Sequence, residues 1–182
     1  MSMRFGAKYA PVFGVGSTVV TRQSPGFAAH LVRVRVDAET GAVRIVDYVA
    51  VQDVGFAINP ATVEGQMIGG VAQGTGWGLL EEMAYDEAGS LITGTFVDYA
   101  VPRATQVPRV DTILVEVPSD DGPFGAKGVG EPPVIPAAGA IANAVSDAIG
   151  VRLTSLPISP ERILAALEQG RAPGGPGGFP PA

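Results

Sequence analysis

The residues best placed to do chemistry lie in one loop, Asp121-Gly122-Pro123-Phe124-Gly125-Ala126-Lys127-Gly128-Val129-Gly130-Glu131-Pro132-Pro133. Glycine removes the side chain and lets a ligand approach the backbone, or lets the backbone take a positive φ. Pro132 steers Glu131 away from helical dihedrals, and Pro133 stiffens the chain beyond it. The result is a single framed carboxylate beside bare backbone, which suits a general base held against a bound object. The same composition also suits an ordinary turn between a strand and a helix.

A second glycine-rich stretch gives the loop a counterpart. Pro60 to Glu81 carries the apolar residues Val63, Met67, Ile68, Val71, Leu79 and Leu80 at helical spacing, and Asn59 and Pro60 supply an N-cap and a first helical residue. Yet the helix contains Gly65, Gly69, Gly70, Gly74, Gly76 and Gly78. Each interior glycine costs about 1 kcal/mol relative to alanine, so the run must gain by letting something lie directly on the helix backbone. The candidates are another helix, a strand or a cofactor. Gln66 and Gln73 fall two turns apart on one side, where an amide could hold a polar ligand or simply meet solvent.

Composition narrows the chemistry. The chain has 182 residues, of which 46% are hydrophobic, enough for one domain or two small lobes around a sizeable core. Its 18 acids against 12 bases give a net charge of −6 with no basic run, which offers nucleic acid no electrostatic support. No stretch is apolar enough to span a bilayer, and the first residues lack the apolar run of a secretory signal, so a cytoplasmic location is expected. With no cysteine and one histidine, disulfides, thiolate chemistry and cysteine-held zinc or iron–sulfur clusters are excluded within this chain. Catalysis here would fall to a carboxylate or a bound cofactor.

The elements that must position these residues can be read in order. Residues 1–25 form an irregular arm, with a possible strand near Gly16–Arg22. His30, Val32, Val34 and Val36 alternate with more polar neighbours as a half-buried strand. A tight turn at Asp37–Gly41 returns into a β-branched run, Val43 to Val54. His30 shares the valine face and reads as a core histidine with a satisfied hydrogen bond. After the glycine-rich helix come short strands, one of them through Leu91–Thr95, and then a clear strand at Pro108 to Val117. Glu81 and Glu82 read as a solvated helix end rather than a metal pair. An alanine-rich helix runs from Pro136 to Ile149 with a buried stripe of Ile141, Val145, Ala148 and Ile149, closed by Gly150. A last helix starts at Ser159-Pro160-Glu161 and stops at Gly170. Residues 26–170 therefore make one domain, and the Gly/Pro-rich residues 171–182 are expected to be disordered. The order predicts an α+β, two-layer α/β architecture with a mostly antiparallel sheet.

Four landmarks then occur in a telling sequence. They are Asp53-Val54-Gly55 with Ile58-Asn59-Pro60, Val63-Glu64-Gly65-Gln66 leading to Val71-Ala72-Gln73-Gly74-Thr75-Gly76, Asp98-Tyr99 with Pro102, and Gly125 through Pro133; Pro157 to Arg162 follows them. In this order they resemble the C-terminal part of the molybdopterin-binding large subunit of the xanthine dehydrogenase/aldehyde oxidase (molybdenum hydroxylase) family, over residues 26–168 or so. The resemblance implies the fold of that family's second molybdenum-cofactor-binding domain. It implies molybdopterin, in some members as the cytosine dinucleotide, with molybdenum as cofactor.

The resemblance also assigns roles. Glu131 occupies the position of the general base, beside the metal rather than bonded to it. Gln66 occupies that of a pterin-contacting glutamine, and Lys127, Gly128 and Val129 lie against the cofactor. The implied reaction hydroxylates an electron-poor carbon of a purine, N-heterocycle or aldehyde with water as the oxygen source. The family's large subunit is several times longer, and its upstream half carries another cofactor loop and most substrate contacts. The chain would then supply one wall of a site, inactive alone, with the upstream large-subunit half and the iron–sulfur and flavin subunits as partners. The alternatives are a non-catalytic remnant or assembly module, and part of a carbon monoxide dehydrogenase-type relative. The intact Glu131 loop weighs against a remnant.

Overall fold

A computed structural model describes residues 14–17 and 24–171. The expected strand near Gly16–Arg22 falls largely outside the described residues, as do most of the N-terminal arm and the tail 172–182. The elements are β1 (Ala28–Val36), β2 (Val43–Asp53), α1 (Pro60–Leu79), β3 (Val110–Val115), α2 (Ala137–Ile149) and α3 (Pro160–Arg171), with a 3₁₀ turn at Pro123–Gly125.

The β1–β2 hairpin forms because inward valines alternate with outward polar residues and because Asp37 and Gly41 close the turn. The Asp37 carboxylate accepts from the backbone N–H of Glu39 at 2.9 Å, and Gly41 takes a φ of 72°. β1 and β2 pair antiparallel from Ala28↔Gln52 to Val36↔Val43, with a bulge between Arg33 and Val34. β3 adds to the other side of β2 in parallel, from Tyr48↔Val110 to Asp53↔Val115. The sheet is therefore mixed in the order β1-β2-β3, and its longer ladder is antiparallel.

The helices cover one face, making the second layer of an α+β fold. α2 packs over β1 and beside α1, while α1 reaches β2 and β3. Between the layers lie Tyr48, Ala50, Val63, Met67, Val71, Ile141, Val145 and Ile163, all buried. Burying a side chain such as Ile141 or Met67 contributes about 1.5–3 kcal/mol, which is what holds a glycine-rich helix in place. The N-cap of α1 is as expected: the Asn59 side chain accepts from Thr62 N–H at 3.3 Å, with Pro60 at the first helical position. Gly150 ends α2 in the left-handed region.

Three sequence expectations need correction. Leu91–Thr95 forms no strand; only an isolated antiparallel bridge joins Tyr85 to Leu91. That segment has no neighbouring ladder among the described residues, so β-propensity alone cannot make it a strand. Ala148 is exposed, and Ser146 takes a buried place on α2 instead, accepting from Leu153 N–H at 3.1 Å. His30 does donate or accept at Nδ1 with the Tyr48 hydroxyl, 2.8 Å away, but its Nε2 is buried with no partner among the described residues, so it is only half satisfied.

Candidate functional site

β2 and β3 run parallel and deliver their carboxyl ends side by side, and the Glu131 loop begins there. Gly55 turns the chain after β2 with a φ of 68°, and a Cβ on it would collide with the Gly125 carbonyl and lie 2.9 Å from the Lys127 nitrogen. The contact is sewn by backbone bonds: Phe56 N–H to Gly125 O at 3.0 Å and Lys127 N–H to Val54 O at 3.0 Å. Glu116 adds a side-chain stitch, accepting from Ala57 N–H at 2.8 Å.

Within this seam lies a residue that the sequence reading left without a role. Asp53 Oδ2 is 2.6 Å from Lys127 Nζ, and both side chains are only 9% exposed. Asp53 Oδ1 accepts from the N–H groups of Gly55 at 3.0 Å and Val117 at 3.4 Å. Burial pushes the Asp53 carboxyl up, but the hydrogen bonds from Lys127, Gly55 and Val117 and the lysine charge outweigh it and hold the group below the usual carboxylate range. Lys127 thus points its ammonium inward at Asp53, while Gly128 is exposed and Val129 packs against the core. An acid ending a strand whose last residues are buried was the available signal for Asp53.

The other end of the loop is anchored on α1. Pro133 is fully buried, and its ring sits where Gly70 lacks a side chain. Between the anchors, a Cβ on Gly130 would be 3.7 Å from Gln66 Nε2. The loop and the glycine-rich helix, separate in sequence, therefore meet at Gln66. Glu131 is exposed, and among the described residues it forms no ion pair. Val129 is half-buried.

Five of the six glycines of α1 divide by face, and the sixth, Gly76, faces Glu81 and Pro102. Gly70, Gly74 and Gly78 face Pro133, Ala137 and Ile141, so they serve close packing of α1 on α2. Gly65 and Gly69 have nothing within 4 Å of where a Cβ would be, and the same is true of Gly128. Gln73 is exposed and Gln66 lies beside the bare glycines. Glu81 and Glu82 form no metal pair: Glu81 accepts from the Tyr99 hydroxyl at 2.7 Å and Glu82 pairs with Arg162 at 2.7 Å. Among the described residues no three His, Asp or Glu side chains converge as a metal site. A separate cleft of about 530 Å³ opens at the far end of α1, lined by Val43, Thr75, Leu79, Pro108 and Ile158 among others, and it includes none of the candidate residues.

The molybdopterin cofactor-binding domain family matches residues 7–108, ending before the Glu131 loop. The chain is 44% identical over 142 residues to the 6-hydroxypseudooxynicotine dehydrogenase complex subunit gamma of Paenarthrobacter nicotinovorans, covering 76% of this chain and 18% of that protein. Quinoline 2-oxidoreductase from Pseudomonas putida 86 superposes with a TM-score of 0.72 at 44% identity, over 75% of this chain and 18% of that one. Carbon monoxide dehydrogenase from Oligotropha carboxidovorans superposes with a TM-score of 0.75 at 32% identity, over 79% of this chain and 18% of that one. The chain thus spans about a fifth of the length of each. It belongs to the molybdopterin cofactor-binding domain family and is homologous to the molybdopterin-binding region of molybdenum hydroxylases of the xanthine dehydrogenase/aldehyde oxidase type.

Proposed function

We propose that this chain supplies one wall of a molybdopterin pocket, together with the general base Glu131, in a molybdenum hydroxylase acting on an electron-poor carbon. The observation that carries the proposal is the meeting of Gln66 with Gly130, one residue from Glu131. It brings the Gln66 amide to the residue before Glu131, and Gly65, Gly69 and Gly128 leave their backbone open. These residues suit a pterin: a flat, polar ring system needs backbone without side chains in its way and an amide to match its edge.

In this reading Gln66 orients the cofactor's edge, and Gly65, Gly69, Gly128 and Val129 let it lie close. Lys127 contributes its backbone. The cofactor, when bound, supplies the two-electron redox capacity that no residue of this chain has. Glu131 takes the proton from the water-derived oxygen that becomes the product hydroxyl, and its exposure leaves it free to do so. Identity of 44% with quinoline 2-oxidoreductase favours an N-heterocycle among the substrate classes, ahead of a purine or an aldehyde. The rest of the pocket would come from large-subunit sequence outside these 182 residues, and iron–sulfur and flavin subunits would carry electrons away, in the cytoplasm.

The structural likeness to carbon monoxide dehydrogenase supports a second reading, a relative of that enzyme with the same cofactor wall. The test is co-purification. The chain is expressed with and without a polypeptide carrying the upstream large-subunit half, and molybdenum and pterin are measured by metal analysis and fluorescence. Both should be retained only in the complex, where N-heterocycle and carbon monoxide oxidation separate the two readings. Full activity from the chain alone would overturn both.

A further inference from the structure

We infer that Asp53 and Lys127 are a positioning pair, a buried lock that fixes the Glu131 loop to the carboxyl ends of β2 and β3. Three segments converge on one carboxylate. Asp53 itself ends β2, its Oδ1 takes the N–H groups of Gly55 and Val117, and its Oδ2 takes the ammonium of Lys127. Removing Asp53 or Lys127 therefore loosens the turn after β2 from the loop after β3, leaving only the backbone bonds and Glu116 across the seam. The pair is nine-tenths buried, so either charge alone would be stranded without solvent.

The lock acts on Glu131 through a short tether. Glu131 lies four residues beyond Lys127 and two before Pro133, which is itself wedged against Gly70. A chain held at both ends over so few residues has little freedom between them, because four residues span at most about 14 Å fully extended. Gly55 makes the lock possible. Any side chain there would strike Gly125 and Lys127 and hold the two backbones apart. The ammonium of Lys127, engaged at 2.6 Å, is spent on this contact and is not a ligand-binding cation. The consequence for Glu131 as a base rests on the function proposed above; the lock itself does not.

Hydrogen exchange on the full chain tests the lock without any cofactor. The double variant Asp53→Asn with Lys127→Met removes both charges while keeping volume. The amides of Phe56 and Lys127, bonded across the seam, should then exchange about tenfold faster, a factor corresponding to about 1.4 kcal/mol of opening free energy. Lys127→Arg, which keeps the charge, should recover most of the protection. Either single variant should unfold at lower urea than the double, because it strands a charge. In the assembled enzyme the double variant should lower kcat more than it raises KM, with pterin content kept. Wild-type exchange in the double variant would overturn the lock. So would loss of pterin on Lys127→Met with full retention on Asp53→Asn, which would make Lys127 a direct ligand. Failure of the molybdenum reading would show elsewhere, as unchanged turnover in Glu131→Gln with the exchange results intact.

Discussion

The ring of Pro133 fills the space that Gly70 leaves open on α1: a Cβ at Gly70 would lie 2.7 Å from Pro133 Cγ and 3.1 Å from the Pro133 carbonyl carbon. One missing side chain thus sets the distance between the helix and the loop that carries Glu131. Gly70→Ala would gain up to about 1 kcal/mol in helix propensity. It would also push against a rigid ring and its backbone, where overpacking costs about 1–3 kcal/mol. The expected outcome is a net loss of about 1 kcal/mol in urea unfolding. A stabilised Gly70→Ala protein would mean that the loop yields easily.

Gly65→Ala and Gly69→Ala should behave in the opposite way. Both positions open into free space, so each replacement should raise stability by about 1 kcal/mol. If the cofactor lies on this face, the same methyl groups should lower pterin content in the assembled complex. Stability that rises with pterin content unchanged would place the cofactor elsewhere.

Glu131→Gln keeps the shape of the side chain and removes its basicity. Glu131 is exposed, so folding should be unaffected, and pterin content should stay near normal. Turnover in the reconstituted complex should fall by about 10²-fold or more, as expected for loss of a positioned base. Turnover within a few-fold of wild type would remove Glu131 from the mechanism.

His30 makes stability depend on mild acid. Burial pushes its imidazole below the ordinary value, so the unfolded chain binds the proton more readily than the folded one. The associated stability is complete above about pH 6.5 and is lost as pH falls through the lower folded value. Urea midpoints measured from pH 7.5 downward should decline below that point. His30→Gln, which can still meet the Tyr48 hydroxyl, should flatten the decline. An equal decline in the variant would assign it to other groups.

Local features of this fold were legible because local chemistry causes them. Asp37 and Gly41 make a turn wherever they occur between alternating strands, and Asn59, Pro60 and Gly150 mark helix ends by capping. The division of the α1 glycines into a packing face and a bare face was not legible, since it depends on Pro133 and Ala137 arriving from far along the chain. The parallel pairing of β3 with β2 and the partner of Lys127 are likewise products of topology. Glu131 and Gln66 stood out from glycine and proline context, but the approach of Gln66 to Gly130 needed the folded chain. Asp53 drew attention as part of a motif, and its role needed the lysine.

Asp53 and Val115 are register partners in the parallel ladder, so the chain leaves the sheet twice at the same end. The candidate residues Glu131 and Gln66 lie on the loop that follows that end and on the neighbouring face of α1. The hairpin turn at Asp37–Gly41 and the β1–β2 bulge, which fix the alignment of the strands, sit toward the opposite end. Alignment and chemistry are therefore written in different stretches of the gene. Changes at the hairpin end of the sheet therefore need not disturb the residues around 116–131.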